Sequence, residues 1–288
     1  MSGLARDVAG LRFANPVLLA SGTAGYGREL LGVSDLGCLG GLVTKAVSLL
    51  PRAGNAAPRV AEFRGGMLNS IGLANPGVAQ AARDEIPWLV QHVRGPQILV
   101  NVVGFTEGEY AEVIAQLEAV DGIAGYELNL SCPNTSAGGV EFGAAPTTVH
   151  AVVGRCRAAT RRPLFAKLSP ALPDIPGIAA AAHEAGADGI SLVNTMPGYL
   201  FEGDGPRLGN GFGGVSGPAL LPSGLLAVQR TAARLPGVPI IGIGGIRSAA
   251  DVRDYLRAGA ALVAIGTAGL ADPRRPERIV RELEQSGG

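Results

Sequence analysis

The stretch Gly125-Tyr126-Glu127-Leu128-Asn129-Leu130-Ser131-Cys132-Pro133-Asn134 decides how the rest of the chain is interpreted. Residues 125–130 form an apolar run of the length of a short buried strand. Pro133 cannot donate a hydrogen bond to a sheet, so the strand ends before it. Cys132 therefore lies on the loop after a strand, between Asn129 and Asn134. Short apolar runs that stop at polar residues or glycines recur along the chain.

The cysteine between two asparagines has two interpretations. A thiol can exchange a proton, and asparagine amides both donate and accept hydrogen bonds, which suits a ring with C=O and N–H groups. Alternatively, the thiol is a small buried apolar group and the asparagines form turns. This stretch alone leaves both interpretations open.

Seven further apolar runs have the length of strands, and helical patterns alternate with them over most of the chain. The strand runs cover 16–20, 41–44, 97–103, 164–168, 189–193, 238–243 and 261–265. The helical patterns cover 75–93, 107–120, 146–160, 176–185, 218–235, 248–258 and 273–284. Alternating strands and helices predict a parallel sheet, and eight such units predict a closed (β/α)8 barrel, a single domain over 1–288. The insertions 48–73 and 198–217 are predicted to follow strands on the same face.

Composition and cysteine usage exclude several classes of protein. Basic and acidic side chains number 24 each, so the net charge gives no sign of nucleic-acid binding. Cys38, Cys132 and Cys156 cannot all pair and lack metal-ligand spacing, so we expect neither a disulfide framework nor a metal site. The N-terminus lacks the layout of a signal peptide, and no apolar run approaches the ~20 residues of a membrane span. We expect a cytoplasmic protein that does not enter a membrane.

Functional residues lie at or just after the ends of the predicted strands, at the face where a barrel of this kind has its active site. They are Ser21, Lys45, Asn101, Asn129 with Cys132, Lys167, Asn194 with Thr195, Gly244-Gly245 and Gly266-Thr267. The glycines after strands seven and eight either make tight turns or form a phosphate site from bare backbone N–H groups, and two pairs at these places favour phosphate. Either lysine alone could extend to solvent, but two at one barrel mouth indicate anionic partners, such as a substrate carboxylate or a reduced cofactor.

Cys132 is the best candidate for proton chemistry. All three histidines lie on predicted helices, away from the strand ends. Cys38 and Cys156 lack comparable polar surroundings and are assigned to packing. A thiol has a reference pKa of about 8.5, which a nearby cation can lower.

A series of motifs runs in order through nearly the whole chain. They are ASGT at 20–23, VTKA at 43–46, PRAGN at 51–55, PRV at 58–60, GMLNSIGL at 66–73, ELNLSCPN at 127–134, AKLSP at 166–170, VNT at 193–195, GGVSGP at 213–218 and GIGG at 242–245. Each motif alone is weak, but together the series resembles the dihydroorotate dehydrogenase family.

This resemblance implies an FMN-dependent (β/α)8 enzyme that oxidises dihydroorotate to orotate in pyrimidine (UMP) biosynthesis. Cys132 would be the base that removes the C5 proton, while the C6 hydride passes to flavin N5. The substrate-binding residues would be Lys45, Asn69, Ser70, Ile71, Gly72, Leu73, Asn129, Asn134, Asn194 and Thr195. The FMN-binding residues would be Ala20, Ser21, Gly22, Lys45, Ala46, Asn101, Asn129, Lys167, Val193, Gly217, Gly244, Gly245, Gly266 and Thr267, with Lys167 beside flavin N1.

The resemblance also implies a subclass and a partner. A cysteine base is similar to the cytosolic class 1, and the segment 51–60 resembles the NAD-linked subclass 1B. That catalytic subunit forms a homodimeric core, or a heterotetramer with an electron-transfer subunit that carries FAD and an iron–sulfur cluster. This chain has no cysteine cluster for iron–sulfur and no complete dinucleotide fingerprint, so reducing NAD would need that partner.

Three alternatives stay open from the sequence. The first is a flavin domain that reduces other pyrimidines, as in dihydropyrimidine dehydrogenase, although Asn134 and residues 66–73 favour dihydroorotate. The second is a Schiff-base aldolase of the same fold that uses Lys167 or Lys45. The third is a flavin-bearing or scaffold subunit without turnover.

Overall fold

The computed structural model describes residues 3–131, 133–134 and 140–286. Eight parallel strands close into a barrel, which confirms the predicted (β/α)8 architecture. The strands are β1 (Val17–Leu19), β2 (Gly41–Val43), β3 (Gln97–Val102), β4 (Gly125–Asn129), β5 (Leu164–Leu168), β6 (Gly189–Leu192), β7 (Ile240–Ile243) and β8 (Leu262–Ile265). Each strand pairs with the next in the chain, and β8 returns to β1.

Helices connect the barrel strands from β2 onward, and two more helices follow β8. They are α1 (Val78–Gln80 and Ile86–His92, joined by the π-helical segment Ala81–Glu85), α2 (Glu107–Leu117), α3 (Pro146–Ala159), α4 (Ile175–Glu184), α5 (Leu221–Arg234), α6 (Ala249–Arg257), α7 (Thr267–Ala271) and α8 (Arg275–Ser286). Short 3-10 turns cover Leu36–Cys38, Phe142–Ala144 and Pro218–Leu220. Thr106, Asp174 and Ser248 begin α2, α4 and α6, and each accepts the N–H of the residue three positions later.

Side chains along the barrel strands alternate between two buried layers. Those that point outward, such as Val100 and Leu128, pack in one large cluster with the helices. Those that point inward, such as Leu99, Phe165 and Ile241, form a second cluster inside the barrel. Because both faces of each strand are buried, the strands appear in the sequence as continuous apolar runs.

The two ends of the barrel are covered differently. The hairpin of Arg6–Val8 and Leu11–Phe13 closes one end, where Val8 and Phe13 join the interior cluster. The other end, at the carboxyl ends of the strands, carries an antiparallel sheet formed by both insertions. Its strands are, in order, Met196–Gly198, Gly213–Ser216, Gly66–Asn69 and Val60–Phe63. Two short hairpins are also present, one between Phe201–Glu202 and Gly205–Pro206, the other between Pro133–Asn134 and Val140–Glu141.

The first helical segment begins later than its sequence pattern predicts. The pattern starts at Asn75, but α1 starts at Val78. Asn75 is buried, and its Oδ1 accepts the backbone N–H of Ser48 at 3.2 Å and that of Gly77 at 2.8 Å. The amide therefore fixes the loop in front of the helix. Within the described residues, no helix combines the length and the apolar character needed to cross a membrane.

Candidate active site

A buried polar cluster lies inside the barrel on β3, β4 and β5. Asn101 Nδ2 donates to Glu127 Oε1 at 2.8 Å, and Lys167 Nζ lies 3.3 Å from the same oxygen. Asn101 and Glu127 are register partners on adjacent strands, which brings their side chains within reach. The exposed fractions of Asn101, Glu127 and Lys167 are 1%, 0% and 6%. The barrel interior therefore holds a paired acid and base shielded from water.

Three buried side-chain atoms in or beside this polar cluster lack a hydrogen-bond partner among the described residues. They are Asn101 Oδ1, Glu127 Oε2 and the hydroxyl oxygen of Ser191, which is the register neighbour of Lys167 on β6. Buried polar atoms are nearly always paired in native proteins. The layer thus offers unused hydrogen-bonding groups to a polar molecule at the barrel mouth.

A second set of polar side chains connects β4 and the end of β6 with the antiparallel sheet at the carboxyl ends of the strands, which we call the covering sheet. Asn194 Nδ2 donates to Asn129 Oδ1 at 3.3 Å, and the backbone N–H of Thr195 donates to Asn194 Oδ1 at 2.8 Å. The Thr195 side chain lies so close to Gly214 that a Cβ on Gly214 would overlap it. Asn69 Nδ2 in turn donates to the Gly214 carbonyl at 3.2 Å. Four predicted substrate-binding residues therefore converge.

The segment after Asn69 is held by Asn55, a residue that the sequence analysis did not assign to the site. Asn55 Nδ2 donates to Ser70 Oγ at 2.7 Å, and its backbone N–H donates to the Ile71 carbonyl at 3.1 Å. Gly72 packs against Asn55, and a Cβ on Gly72 would stand 2.5 Å from the Asn55 nitrogen. The predicted 70–73 loop is thus placed by this amide.

Lys45 follows β2 at the barrel mouth. Its backbone N–H donates to the Gly25 carbonyl at 2.9 Å, and the adjacent Ala46 packs with Leu73 and Val103. The Lys45 side chain is partly exposed. No carboxylate of the described residues forms an ion pair with it. Unlike Lys167, Lys45 remains available to an anionic ligand.

The ends of β7 and β8 meet the covering sheet around glycines. Thr267 Oγ1 donates to Ser216 Oγ at 2.8 Å, and a Cβ on Gly217 would lie 3.4 Å from Thr267 Cγ2. Gly245 has a φ of 74°, and a Cβ there would stand 2.6 Å from the Cβ of Leu221, so a side chain does not fit. Helix α7 begins at Thr267 without a side-chain cap, which leaves its first N–H groups without intrahelical acceptors.

The remaining predicted cofactor residues border the same region. The Ala20 N–H donates to the Ile265 carbonyl at 2.9 Å, directly before Gly266. Ser21 and Gly22 follow on that loop, and a Cβ on Gly22 would meet nothing within 4 Å. The Val193 N–H donates to the Ile243 carbonyl at 3.0 Å, directly before Gly244.

Two predicted site residues, Cys132 and Asn134, lie in or beside the segments that the structure does not describe. Cys132 lies outside the described residues, so its role stays a prediction. For Asn134 the structure describes the backbone, which pairs with Val140. The Asn129 carbonyl accepts the hydroxyl of Tyr110 at 2.8 Å, which fixes the end of β4 before this loop.

The two described thiols have raised pKa values. Burial, with a smaller contribution from Asp35 and Glu277, raises the pKa of Cys38 to about 11. Burial raises the pKa of Cys156, which is in α3, to about 12. Both thiols are therefore protonated near neutral pH, and a protonated thiol is a poor nucleophile.

We accordingly expect iodoacetamide at neutral pH to leave Cys38 and Cys156 unmodified in the folded protein, as measured by peptide mass mapping. Any loss of activity should then come from Cys132. The double variant Cys38→Ser/Cys156→Ala should lose activity at the same rate as the parent chain. Rapid labelling of Cys38, or protection in the double variant, would contradict this assignment.

Glu127 is a further residue that the sequence analysis missed. The run 125–130 was interpreted as apolar, although Glu127 precedes Asn129 by two positions and so shares its face of the strand. A carboxylate in a buried strand needs a cation, and Lys167 on the next strand supplies it. Glu127 is thus an anionic partner of Lys167 within the protein, in addition to the ligand anions that the sequence predicts.

The model of the family described as dihydroorotate dehydrogenase matches residues 3–286. The chain belongs to the dihydroorotate dehydrogenase family. This confirms the predicted family and, with it, the predicted oxidoreductase activity on dihydroorotate in pyrimidine biosynthesis.

Curated relatives of the dihydroorotate dehydrogenase family match over nearly the whole chain. The protein of Desulforudis audaxviator is 45% identical over 280 residues, which cover 96% of this chain and 90% of that protein. The protein of Citrifermentans bemidjiense is 44% identical, over 96% of this chain and 91% of its own length. That of Cutibacterium acnes is 40% identical, over 99% and 93%. All three are named dihydroorotate dehydrogenase B (NAD(+)), catalytic subunit, the subclass that the sequence predicted.

Proposed function

We propose that this chain, as a single domain over 1–288, oxidises dihydroorotate to orotate with FMN as its flavin. One observation carries the proposal. A lysine without an ion-pair partner among the described residues, a set of linked amides, a buried ammonium group and a glycine-rich helix start all lie at one barrel mouth. Together these groups suit a carboxylated pyrimidine and a flavin phosphate.

The described residues fit FMN on two grounds. The unpartnered Asn101 Oδ1 and Ser191 Oγ, together with Lys167, suit the N–H and C=O groups of a flavin ring. The backbones of Gly245 and Gly266, which carry no side chains at the ends of β7 and β8, suit the close approach of a phosphate. We assign the phosphate to Gly244, Gly245, Gly266 and Thr267, and the ring and ribityl chain to Ala20, Ser21, Gly22, Lys45, Ala46, Asn101, Asn129, Lys167, Val193 and Gly217.

The substrate would be held by charge and by amides. Lys45 would pair with the substrate carboxylate, since no carboxylate of the described residues occupies it. The amides of Asn69, Asn129 and Asn194, with Thr195, would bind the ring C=O and N–H groups, and their mutual hydrogen bonds orient them in advance. We also assign Ser70, Ile71, Gly72, Leu73 and Asn134 to this site.

In the reaction, Cys132 would take the proton from C5 of the substrate. FMN held by these residues would supply the acceptor for the C6 hydride. The buried ammonium of Lys167 would stabilise negative charge on the reduced flavin, because charges act strongly where water is excluded.

We propose further that the electrons leave through a partner. The relatives are named NAD-linked catalytic subunits, a name that implies a second subunit. We assign FAD and an iron–sulfur cluster to that subunit, and a homodimeric core or a heterotetramer to the assembly. We place the enzyme in the cytoplasm.

The test is anaerobic mixing of the purified chain with dihydroorotate. We expect a yellow protein that loses its flavin colour, followed by reoxidation assays with NAD, fumarate and quinone. Dihydrouracil, which lacks the carboxylate, should reduce the flavin at least about tenfold more slowly, because a charge-assisted hydrogen bond to Lys45 is lost. A colourless protein that takes up no FMN would overturn the proposal. Equal rates with both substrates would favour a general pyrimidine enzyme.

One control experiment distinguishes the proposed dehydrogenase from a Schiff-base aldolase. Its nucleophile must be a neutral amine, whereas Lys167 is paired with Glu127. Borohydride treatment in the presence of a carbonyl substrate should therefore attach no substrate to Lys167 or Lys45. A trapped adduct at either lysine would support the aldolase.

A further inference from the structure

We infer that Glu127 is a positioning residue that orients Lys167 and Asn101 toward the flavin and lowers the flavin reduction potential. This inference rests on the proposed function, specifically on FMN at the barrel mouth. Glu127 itself is fully buried, and we assign it no contact with substrate.

The orientation of Asn101 and Lys167 follows from the contacts that both side chains already make with Glu127. Both Asn101 Nδ2 and Lys167 Nζ converge on one oxygen of Glu127, at 2.8 Å and 3.3 Å. An asparagine amide is planar, so fixing its nitrogen on Glu127 also fixes the direction of its oxygen. That oxygen, Asn101 Oδ1, has no partner among the described residues. Glu127 thereby presents an acceptor from Asn101 and an anchored ammonium from Lys167.

The charge pair lies on one side of the barrel interior. Strands β3 to β6 contribute Asn101, Glu127, Lys167 and Ser191. The opposite strands contribute apolar side chains to the interior, namely Leu18, Ala20, Val43, Ile241, Ile243, Leu262 and Ala264. Lys167 is the penultimate residue of β5, close to the active-site end. With apolar side chains opposite, the charges are weakly screened and act strongly on a molecule at the mouth.

The two charges have opposite effects on a bound flavin. The ammonium of Lys167 favours the reduced flavin, which carries more negative charge than the oxidised one. The carboxylate of Glu127 lies on the same ammonium and offsets part of that preference. Glu127 thus holds the ammonium in place while limiting how far it raises the reduction potential.

The test is a potential measurement on the FMN-loaded chain by equilibrium titration against reference dyes. Glu127→Gln keeps an oxygen for Asn101 and Lys167 but removes the negative charge. We expect the bound flavin to become easier to reduce, with reduced FMN favoured over oxidised FMN by about tenfold more than in the parent, or ~30 mV for a two-electron couple. Glu127→Leu removes both the hydrogen-bonding oxygen and the negative charge, so this variant should also bind FMN more weakly. Glu127→Gln should bind FMN with the affinity of the parent chain.

Glu118→Gln is the matched control. Glu118 is a partly buried carboxylate that accepts two hydrogen bonds, from Tyr126 at 2.7 Å and from Thr160 at 2.9 Å, and pairs with Arg162 at 3.6 Å, but Tyr126 belongs to the outward-facing cluster. Its variant should leave the flavin potential unchanged.

An unchanged potential in Glu127→Gln, in a chain that still binds FMN, would overturn the inference and leave the proposed function standing. Equal shifts in Glu127→Gln and Glu118→Gln would also overturn it. A parent chain that binds no flavin would instead refute the proposed function. The two failures are therefore distinguishable.

Discussion

Lys167→Met is expected to lower the free energy of unfolding by about 3–5 kcal/mol, because it leaves the buried carboxylate of Glu127 without its cation. The same variant should bind FMN more weakly or reduce it more slowly, since the ammonium assigned to the flavin is gone. Urea unfolding of the chain stripped of flavin measures the first effect, and FMN titration measures the second.

Two further variants test the reason for the Lys167 effect. Glu127→Gln/Lys167→Met removes both charges, so it should recover much of the lost stability while FMN binding stays impaired. Arg278→Met breaks an ion pair with Asp272 that is about half exposed, and it should cost less than about 1 kcal/mol. If Lys167→Met is as stable as the parent, the buried pair does not contribute as described.

Cys132→Ser is expected to retain FMN and to slow flavin reduction by dihydroorotate about 10²–10⁴-fold near neutral pH, the usual contribution of a general base. A serine hydroxyl is a far weaker acid than a thiol, so its basic form is nearly absent at this pH. The rate in the variant should therefore rise as pH is increased. Stopped-flow measurement of flavin absorbance under anaerobic conditions gives the rate.

Cys38→Ser is the matched control for the cysteine assignment. Cys38 Sγ donates to the Asp35 carbonyl at 3.0 Å, a bond that a serine hydroxyl can replace, and Cys38 is not part of the site. Its variant should reduce flavin at the parental rate. If Cys132→Ser also keeps the parental rate, another group must be the base.

The barrel could be predicted because each of its strands is buried on both faces and is therefore a continuous apolar run in the sequence. The pairing of the two insertions could not be predicted. Gly66–Asn69 and Gly213–Ser216 are short and show no clear alternation of apolar and polar residues. Their register depends on contacts far apart in the chain, which local patterns do not encode.

The positions of the strand ends predicted which side chains lie close together at the candidate site, because parallel strands end at the same edge of a barrel. Asn55 and Glu127 were missed for different reasons. Asn55 acts on a loop by hydrogen bonds to Ser70 and Ile71, and a loop has no period from which to infer them. Glu127 could have been found from its charge, because Lys167 lies on the next strand, two positions beyond Phe165, the register partner of Glu127.

The covering sheet has a consequence for synthesis of the chain. The hydrogen bond from Asn69 to Gly214 joins residues that are 145 positions apart. While the ribosome makes the intervening segment, the Gly66–Asn69 edge of its hairpin with Val60–Phe63 still lacks its partner strand and is open to pairing with other chains. Gly266 and Thr267 emerge later still. On the proposed assignment of the FMN phosphate to Gly244, Gly245, Gly266 and Thr267, the phosphate site is complete only on a nearly finished polypeptide, which makes cofactor capture one of the last events of maturation.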